Sequence, residues 1–415
     1  MQVAVIGAGV IGVCTAYFLA EAGHDVVVME RRNHVAEEAS SGDAGLLAAD
    51  AVAPWATPGM PTSVLSLIHK ASSPFLINRK WDPEIWRWLR QWGRESELAR
   101  YQVNRERMHR LASYSHQIML QLREHYQLDY EQSAGLLQIF RTEEDWQRAQ
   151  TAITFMQASG ISHKVATAEE ARQIEPALYA QTAIAGAINL PDAESGNCPL
   201  FTRQMRQLAQ QHGVEFHFGC NVESIQQSHR GVMLEVDGAH YSADAVVLAT
   251  GADSGKLLQP LKLALPTLTQ HHHAVTASIR NFDALPDHAL FDDHHKVSIT
   301  RLGNRIRVAG TAELGQRSAG TQNTPMSTLF KVAYDWLPDT ANYNAATCWS
   351  GSSLALPDGV PLLGETSIRN VFLNIGHGSC GWSMAAGSGK LVADIVSDRA
   401  ADIDMDGLTA LRYAS

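Results

Sequence analysis

The sequence predicts an α/β fold, and three observations near its N-terminus support this prediction. Residues 3–6 form a short apolar run, residues 10–21 form a longer apolar-rich stretch, and residues 25–29 form a second short run that ends at Glu30. From the end of the first run into the long stretch, glycines occur at the G-x-G-x-x-G spacing, at Gly7, Gly9 and Gly12. The segments have the order strand, helix, strand, which is the βαβ unit of a doubly wound parallel sheet.

The glycine spacing indicates a dinucleotide site in this unit. Gly7 permits the tight turn, Gly9 lets the backbone approach a pyrophosphate, and Gly12 lets the helix pack closely on the strand. The helix N-terminus supplies N–H donors and a positive dipole end for phosphates. Glu30 lies 18 residues after Gly12, near the spacing expected for a carboxylate that accepts ribose hydroxyls, and its charge disfavours the 2′-phosphate of NADP. The alternative is an ordinary tight turn between strand and helix.

Composition limits the class of protein further. A chain of 415 residues is long enough for two or three domains, and a net charge of −10 argues against nucleic acid as the main partner. The five cysteines include no C-x-x-C pair, which favours a reducing compartment over a disulfide framework or a zinc site. There is no basic n-region of a signal peptide and no apolar run of about 18 residues. We therefore expect a cytoplasmic protein.

Residues 54–92 have a different character and leave membrane contact open. This segment holds five of the nine tryptophans, namely Trp55, Trp81, Trp86, Trp88 and Trp92. Ile85, Trp88, Leu89 and Trp92 recur at helical spacing, which predicts an amphipathic helix. Its apolar face is interpreted as a packing surface between domains; the alternative is peripheral attachment to the inner face of the cytoplasmic membrane.

A second glycine-rich loop near the C-terminus favours a flavin. Residues 371–375 are predicted to form a strand, and the loop 376–382 then leads into a helix from about residue 383 to residue 396. A helix N-terminus placed there would stabilise the negative charge that a reduced flavin carries at its N1–C2=O edge. Residues 245–249 similarly form a buried strand that ends at Thr250 and Gly251. FAD therefore explains the pattern better than NAD.

Three consecutive histidines at residues 271–273 precede an apolar run. Neighbouring side chains of a strand point to opposite faces, so at most two of the three share a face. A metal site is therefore not expected.

The sequence resembles the bacterial D-amino-acid dehydrogenase (small subunit) family, within the D-amino-acid oxidase (DAO) superfamily of flavoproteins. The resemblance extends over nearly the whole chain and is carried by residues 5–13, 40–45, 53–59, 137–143, 190–198, 299–301, 304–308 and 374–378. It implies a Rossmann-like FAD-binding domain of the glutathione-reductase/DAO type, with an inserted α+β substrate domain built on an antiparallel sheet. The implied FAD-binding domain comprises residues 1–53, 188–260 and 346–415, and the substrate or cap domain comprises residues 54–187 and 261–345.

The resemblance also implies which residues hold FAD, without a covalent link. The pyrophosphate loop comprises Val5, Ile6, Gly7, Ala8, Gly9, Val10, Ile11 and Gly12. The adenosine ribose is assigned to Glu30, the adenine to the Val222 backbone and the phosphate region also to Gly251; Arg31 and Thr250 are further cofactor-binding residues. Ser41 and Gly45 are assigned to the approach to the flavin, and its pyrimidine edge is assigned to Gly376, His377, Gly378, Ser379 and Gly381. Further cofactor-binding residues are Ser40, Ala44, Leu46, Cys380 and Trp382.

In the family that the sequence resembles, a hydride leaves the substrate Cα for flavin N5. The resulting imine hydrolyses to a keto acid and ammonia, and electrons pass to a quinone or the respiratory chain. This chemistry requires a neutral amine and a carboxylate clamp, but it does not strictly require a protein base.

The substrate side departs from the family pattern. The family usually carries a carboxylate-binding arginine where this chain has Ser353, and the related dehydrogenases tend to carry a lysine and a tyrosine where it has His271 and His273. The candidate catalytic residues are His271, His273, Arg301, Arg305, Ser353 and His377. Arg301 and Arg305 have an alternative position, on a solvent-facing hairpin. The expected substrate is a D-amino acid or a related imino or N-substituted amino acid; the alternatives are an oxygen-using oxidase and a flavoprotein subunit with altered or lost substrate binding.

Overall fold

The computed structural model describes residues 1–58, 75–77, 83–314 and 323–413. Trp81 and most of residues 59–82 therefore lie outside the described residues. The helices are α1 Val10–Glu21, α2 Pro83–Glu95, α3 Leu98–Tyr126, α4 Glu143–Ala158, α5 Ala168–Ile174, α6 Cys198–Gln211, α7 Ser254–Leu258, α8 Asn323–Trp336 and α9 Gly381–Val396. The strands are β1 Gln2–Ile6, β2 Asp25–Glu30, β3 Leu46–Leu47, β4 Phe75–Ile77, β5 Ser133–Phe140, β6 Lys164–Ala166, β7 Gly186–Ser195, β8 Glu215–Phe218, β9 Val222–Ser228, β10 Gly231–Val236, β11 Ala239–Ala243, β12 Ala245–Leu248, β13 Leu268–Ser278, β14 Ala289–Asp292, β15 Val297–Leu302, β16 Arg305–Leu314, β17 Thr347–Ala355, β18 Leu362–Glu365 and β19 Val371–Ile375.

A six-stranded sheet contains the predicted βαβ unit. Its strand order is β18-β19-β12-β1-β2-β8, and all neighbours are parallel except the edge strand β18. The central strands are apolar because helices cover the sheet, as Val3 and Val5 show by being fully buried. This arrangement confirms the Rossmann-like prediction. The antiparallel strands β9, β10 and β11 form a separate three-stranded meander.

Helix α9 lies between α1 and α3, and two of its glycines allow this close packing. A Cβ atom on Gly387 would come within 2.8 Å of the Cα atom of Ser115 in α3. A Cβ atom on Gly389 would come within 2.9 Å of the backbone of Cys14 and Thr15 in α1. These contacts hold the long helix α3 against the six-stranded sheet's helical layer.

A ten-stranded sheet forms the other half of the molecule. Its main path is β17-β13-β16-β15-β14-β5-β7-β3, while β4 pairs with β16 and β6 pairs with β7. Most neighbours are antiparallel, which confirms the predicted antiparallel-sheet substrate domain. Apolar residues of α8 pack on one face of this sheet, and apolar residues of α4 pack on the other.

The division of the chain into two domains remains a proposal. Strands β7 and β17 belong to the ten-stranded sheet, although most of β7 and all of β17 fall in segments 188–260 and 346–415, which we assigned to the FAD-binding domain. The proposed FAD-binding segments therefore also contribute strands to the ten-stranded sheet. Among the described helices, none combines the length and apolar character needed to cross a membrane.

Candidate active site

A cavity of about 1470 Å³ lies between the two large sheets and is lined by residues of both. One wall contains the carboxyl ends of β1, β2, β12 and β19, where open α/β sheets bind their ligands. The opposite wall contains residues of β5, β13, β16 and β17 of the ten-stranded sheet. A pocket for one small ligand commonly measures about 300–1,000 Å³, so this cavity has room for a cofactor together with a substrate.

The first glycine loop is packed too closely to accept side chains. A Cβ atom on Gly7 would lie 2.6 Å from the carbonyl oxygen of Ala249, and one on Gly12 would overlap the carbonyl oxygen of Gly7. Gly9 is the N-cap of α1, and the first turn of this helix contains no acidic side chain. The positive end of the helix dipole is therefore available to a phosphate in the cavity.

Glu30 lies at the cavity wall and is 8% exposed. Its Oε2 accepts a hydrogen bond from the backbone N–H of Ala8 at 2.7 Å, and its Oε1 accepts one from the N–H of Arg32 at 2.8 Å. An ionised carboxylate has about four acceptor positions. Glu30 can therefore also accept hydrogen bonds from ribose hydroxyls. Arg31 lies beside it and is ion-paired with Asp253 at 2.7 Å.

The second glycine loop begins where β19 ends. Gly376 and Gly378 have φ values of +83° and +57°, in the left-handed region that favours glycine. The His377 Nε2 and Trp382 Nε1 atoms in this loop are buried at the cavity and have no hydrogen-bond partner within the described part of the chain. Burial lowers the pKa of His377 to about 3, so its ring is neutral. These two unpaired polar atoms fit a flavin, whose ring carries several hydrogen-bonding groups.

Most of the predicted cofactor residues border the cavity, and five do not. Those at its wall are Ile6, Gly7, Gly9, Val10, Ile11, Glu30, Arg31, Ser40, Ala44, Leu46, Val222, Thr250, Gly251 and residues 376–382. The five that lie behind the wall are Val5, Ala8, Gly12, Ser41 and Gly45.

Local packing explains the residues behind the wall. Val5 is a core residue, and the Ala8 N–H binds Glu30. A Cβ atom on Gly45 would lie 2.8 Å from the Gly196 carbonyl oxygen, so this glycine is needed for contact with the neighbouring chain instead of for direct approach to a ligand. The Ser41 carbonyl accepts a hydrogen bond from Arg307 at 2.7 Å.

The three histidines of β13 are each hydrogen-bonded to a serine of β17. His271 bonds to Ser352 at 2.7 Å, His272 to Ser353 at 2.7 Å, and His273 to Ser350 at 2.8 Å.

His272, His273 and Ser353 border the cavity, whereas His271 does not. A role for His271 stays a prediction, and His272, which was not a candidate, borders the cavity. The pairing of β13 with β17 puts His272 on the same face as Ser353. Burial and the two neighbouring histidines lower the pKa of His272 to about 4, so its ring is not a cation near neutral pH.

Arg301 and Arg305 lie on the β15–β16 hairpin and not at the cavity wall. The Arg301 Nε donates to the carbonyl oxygen of Gly303 at 3.1 Å, and Arg305 forms an ion pair with Glu131 at 3.2 Å. These positions agree with the alternative that both arginines lie on the hairpin, and a role in substrate binding stays a prediction. The hairpin arginine that points inward is Arg307, which donates to the carbonyl oxygens of Ser41 and Asp43.

Asp43 and Arg105 are among the ionisable residues at the cavity wall that were not predicted. Asp43 accepts a hydrogen bond from the Gly45 N–H at 2.8 Å, and burial raises its pKa to about 6. Arg105 projects from α3, a helix that carries many other charged residues. Within the described residues, no group of three or more histidine, cysteine or acidic side chains is arranged to hold a metal ion.

A Rossmann-like sheet whose two glycine loops meet at one large cavity defines a dinucleotide-dependent oxidoreductase, and the unpaired groups of the second loop indicate a flavin. The family model for FAD-dependent oxidoreductases (DAO) matches residues 2–395. The chain therefore belongs to this family and uses FAD as its cofactor.

Curated relatives place the chain within the family. D-amino acid dehydrogenases of Neisseria meningitidis serogroup A and serogroup C are each 38% identical to it over 418 aligned residues, covering 100% of both chains. These full-length matches confirm the predicted relation to the bacterial D-amino-acid dehydrogenases.

Solved structures confirm the fold. Glycine oxidase from Geobacillus kaustophilus aligns with a TM-score of 0.76 and 24% identity, over 99% of this chain and 98% of that one. L-proline dehydrogenase from P. horikoshii aligns with a TM-score of 0.71 and 15% identity, over 100% of this chain and 97% of that one.

Proposed function

We propose that this protein oxidises the C–N bond of an amino acid. The substrate is a D-amino acid or a related imino or N-substituted amino acid. The observation that supports the proposal is the shared cavity, in which the residues suited to FAD face the polar pair His272 and Ser353 of the ten-stranded sheet. The names of the two Neisseria relatives support an amino acid as the substrate class.

Each wall of the cavity has its own task in this proposal. The N-terminus of α1 holds the pyrophosphate and Glu30 holds the adenosine ribose, while residues 376–382 border the flavin ring. When bound, FAD supplies the redox chemistry by accepting a hydride from the substrate Cα at its N5 position. The first product is an imine, which reacts with water to give a keto acid and ammonia if the donor was a primary amine.

The protein's contribution is to hold the substrate with its Cα–H toward the flavin. The His272 and His377 rings are neutral because burial lowers the pKa of each, so neither repels a cation nor binds an anion by charge. Both rings can still exchange hydrogen bonds with a neutral amine. No protein base is required, provided that the substrate amine is unprotonated when it reacts.

We further propose that the electrons leave FAD for a quinone-type acceptor of the respiratory chain. This transfer would require at least transient contact with a membrane. A use of oxygen in its place would release hydrogen peroxide with each turnover.

Anaerobic reduction of the bound flavin tests the proposed function. The yellow holoenzyme is mixed with D-amino acids, cyclic imino acids and N-methyl amino acids, and loss of the visible flavin absorbance is followed. At least one compound should bleach the flavin. In a second assay of that compound in air, dye or quinone reduction should exceed peroxide release. Stoichiometric peroxide would favour an oxidase, and a flavin that no compound bleaches would contradict amino-acid oxidation.

A further inference from the structure

The arginine and lysine side chains that border the cavity differ in their partners. Four of them are ion-paired with nearby carboxylates: Arg31 with Asp253, Arg148 with Asp145, Lys256 with Asp253 and Lys296 with Asp293. The fifth, Arg105, has no carboxylate within ion-pair distance among residues 1–58, 75–77, 83–314 and 323–413. A cation of this kind is the exception in the cavity wall.

Arg105 is also deeply buried, at 2% exposure. One of its Nη atoms donates to the hydroxyl oxygen of Tyr101 at 3.3 Å, and its buried Nε has no hydrogen-bond partner in the described structure. The Phe155 ring lies 4.1 Å from the guanidinium carbon and covers one face of the group. Because a guanidinium carries five N–H donors, the edge of Arg105 can still bind a ligand.

A buried charge without a counter-ion is costly, and an arginine does not lose its proton at physiological pH even though burial lowers the pKa of Arg105. An anion that enters the cavity would neutralise this charge and so offset the cost of burying it. A carboxylate matches the planar fork of a guanidinium and can accept two parallel N–H···O bonds. The Tyr101 hydroxyl accepts from Arg105 and borders the same cavity, so its own proton can point to a second acceptor.

We propose that Arg105, assisted by Tyr101, binds the substrate carboxylate. This inference rests on the proposed oxidation of an amino acid. Arg105 provides the positive charge that Ser353 and the neutral His272 do not provide. Its location is suitable, because α3 carries Met108 one turn beyond Arg105 into a small pocket that Gly376 and His377 also line. The same helix therefore reaches the loop assigned to the flavin.

Binding of benzoate and benzamide to the FAD-loaded protein tests the proposal. The two probes have similar shapes but differ in charge, and the change in flavin absorbance gives their affinities without turnover. The wild-type protein should prefer benzoate. Arg105→Gln should lose at least about tenfold in benzoate affinity, the effect of one hydrogen bond between charged groups, and should keep its benzamide affinity. Arg148→Gln is the matched control and should retain the benzoate preference.

Two further measurements keep the test decisive if Arg105→Gln fails to fold. Arg105→Lys retains the charge and should show an intermediate loss of benzoate affinity. In the native protein, benzoate but not benzamide should slow the labelling of Arg105 by phenylglyoxal, as read by peptide mass spectrometry. Equal affinities for the two probes, an unchanged preference in Arg105→Gln or the absence of protection would each overturn the proposal.

The outcomes also separate this proposal from the proposed function. If benzoate binding depends on Arg105 but no amino acid bleaches the flavin, the carboxylate site holds and amino-acid oxidation is rejected. If an amino acid bleaches the flavin and KM is unchanged in Arg105→Gln, the function holds and the role of Arg105 is rejected. A rise in KM that exceeds the fall in kcat supports both.

Discussion

At the scale of single residues, Asp43 is a carboxyl group whose ionised form is disfavoured by burial. It borders the cavity, and burial outweighs the favourable contacts with the Gly45 N–H and with Arg307, so its pKa rises to about 6 from an ordinary value of 3.8. The folded protein therefore binds this proton more tightly than the unfolded chain does. Folding stability from this group is highest below pH 4 and falls as the pH rises through about 6.

We expect Asp43→Asn to stabilise the FAD-loaded protein at pH 8 by about 1–3 kcal/mol, because asparagine keeps the acceptor for Gly45 without the charge. The gain should shrink as the pH falls through about 6 and vanish only well below pH 4, where the aspartate is protonated in both states. Thermal unfolding across this pH range measures the difference. Asp192→Asn, which removes an exposed carboxylate, is the control. An equal gain from Asp43→Asn at both ends of the range would contradict the assignment.

Ser353 provides a second prediction at this scale. Its hydroxyl bonds to His272 at 2.7 Å and borders the cavity, so an arginine at this position would place a guanidinium fork beside the proposed substrate. Ser353→Arg should raise kcat/KM for D-alanine by at least about tenfold, the effect of one added hydrogen bond between charged groups. Ser353→Met has a long side chain without charge and should not. An equal response of both variants would mean that charge at this position does not set specificity.

At the scale of elements, two glycines respond to alanine in opposite directions. A Cβ atom on Gly12 would overlap the Gly7 carbonyl oxygen, so Gly12→Ala must push α1 away from its turn. We expect that variant to lose FAD affinity by about tenfold or more and to unfold more easily, since the Gly7 backbone cannot turn aside as a flexible side chain could.

Gly93, inside α2, is the matched control because a Cβ atom there meets nothing within 4 Å. Gly93→Ala should stabilise the protein by about 0.5–1 kcal/mol through helix propensity and leave FAD binding unchanged. FAD titration and thermal unfolding of both variants measure these effects. Unchanged FAD affinity in Gly12→Ala would refute the packing argument.

The sequence predicted those elements whose local pattern decides their structure. The βαβ unit, both glycine loops and the hairpin of β15 and β16 were predicted correctly because spacing and hydrophobic period suffice for them. The pairing of β13 with β17 joins residues about 80 positions apart, and no local pattern reports it. For that reason the sequence pattern did not reveal the hydrogen bond between His272 and Ser353. Arg105 was missed because a charge within a charged helix gives no sign that its side chain is buried.

At the scale of the whole molecule, the cavity that we propose as the FAD site combines segments from the start, middle and end of the chain. Glu30, Val222 and His377 come from three such segments and border one cavity. FAD therefore connects parts of the fold and should stabilise it by about 2.7 kcal/mol when present at 100 times its Kd. The melting temperature should rise with the logarithm of FAD concentration, and FMN, which lacks the adenosine half, should raise it less. Equal shifts with FMN and FAD would contradict a role for Glu30 and Val222.

The strand order of the six-stranded sheet has a consequence for folding during translation. Strand β1 is made first, yet its neighbour β12 begins at Ala245, and β12 in turn pairs with β19, which begins at Val371. During translation, β1 and β2 are synthesised long before β12 and β19, the strands that complete the sheet on one side of β1. Pairings between strands so far apart in the sequence form slowly. The six-stranded sheet, and with it the proposed flavin site, can therefore be completed only after β19 has been synthesised. Until then, the edge of β1 that later pairs with β12 is unpaired, and it is the edge at which binding of a chaperone would prevent aggregation.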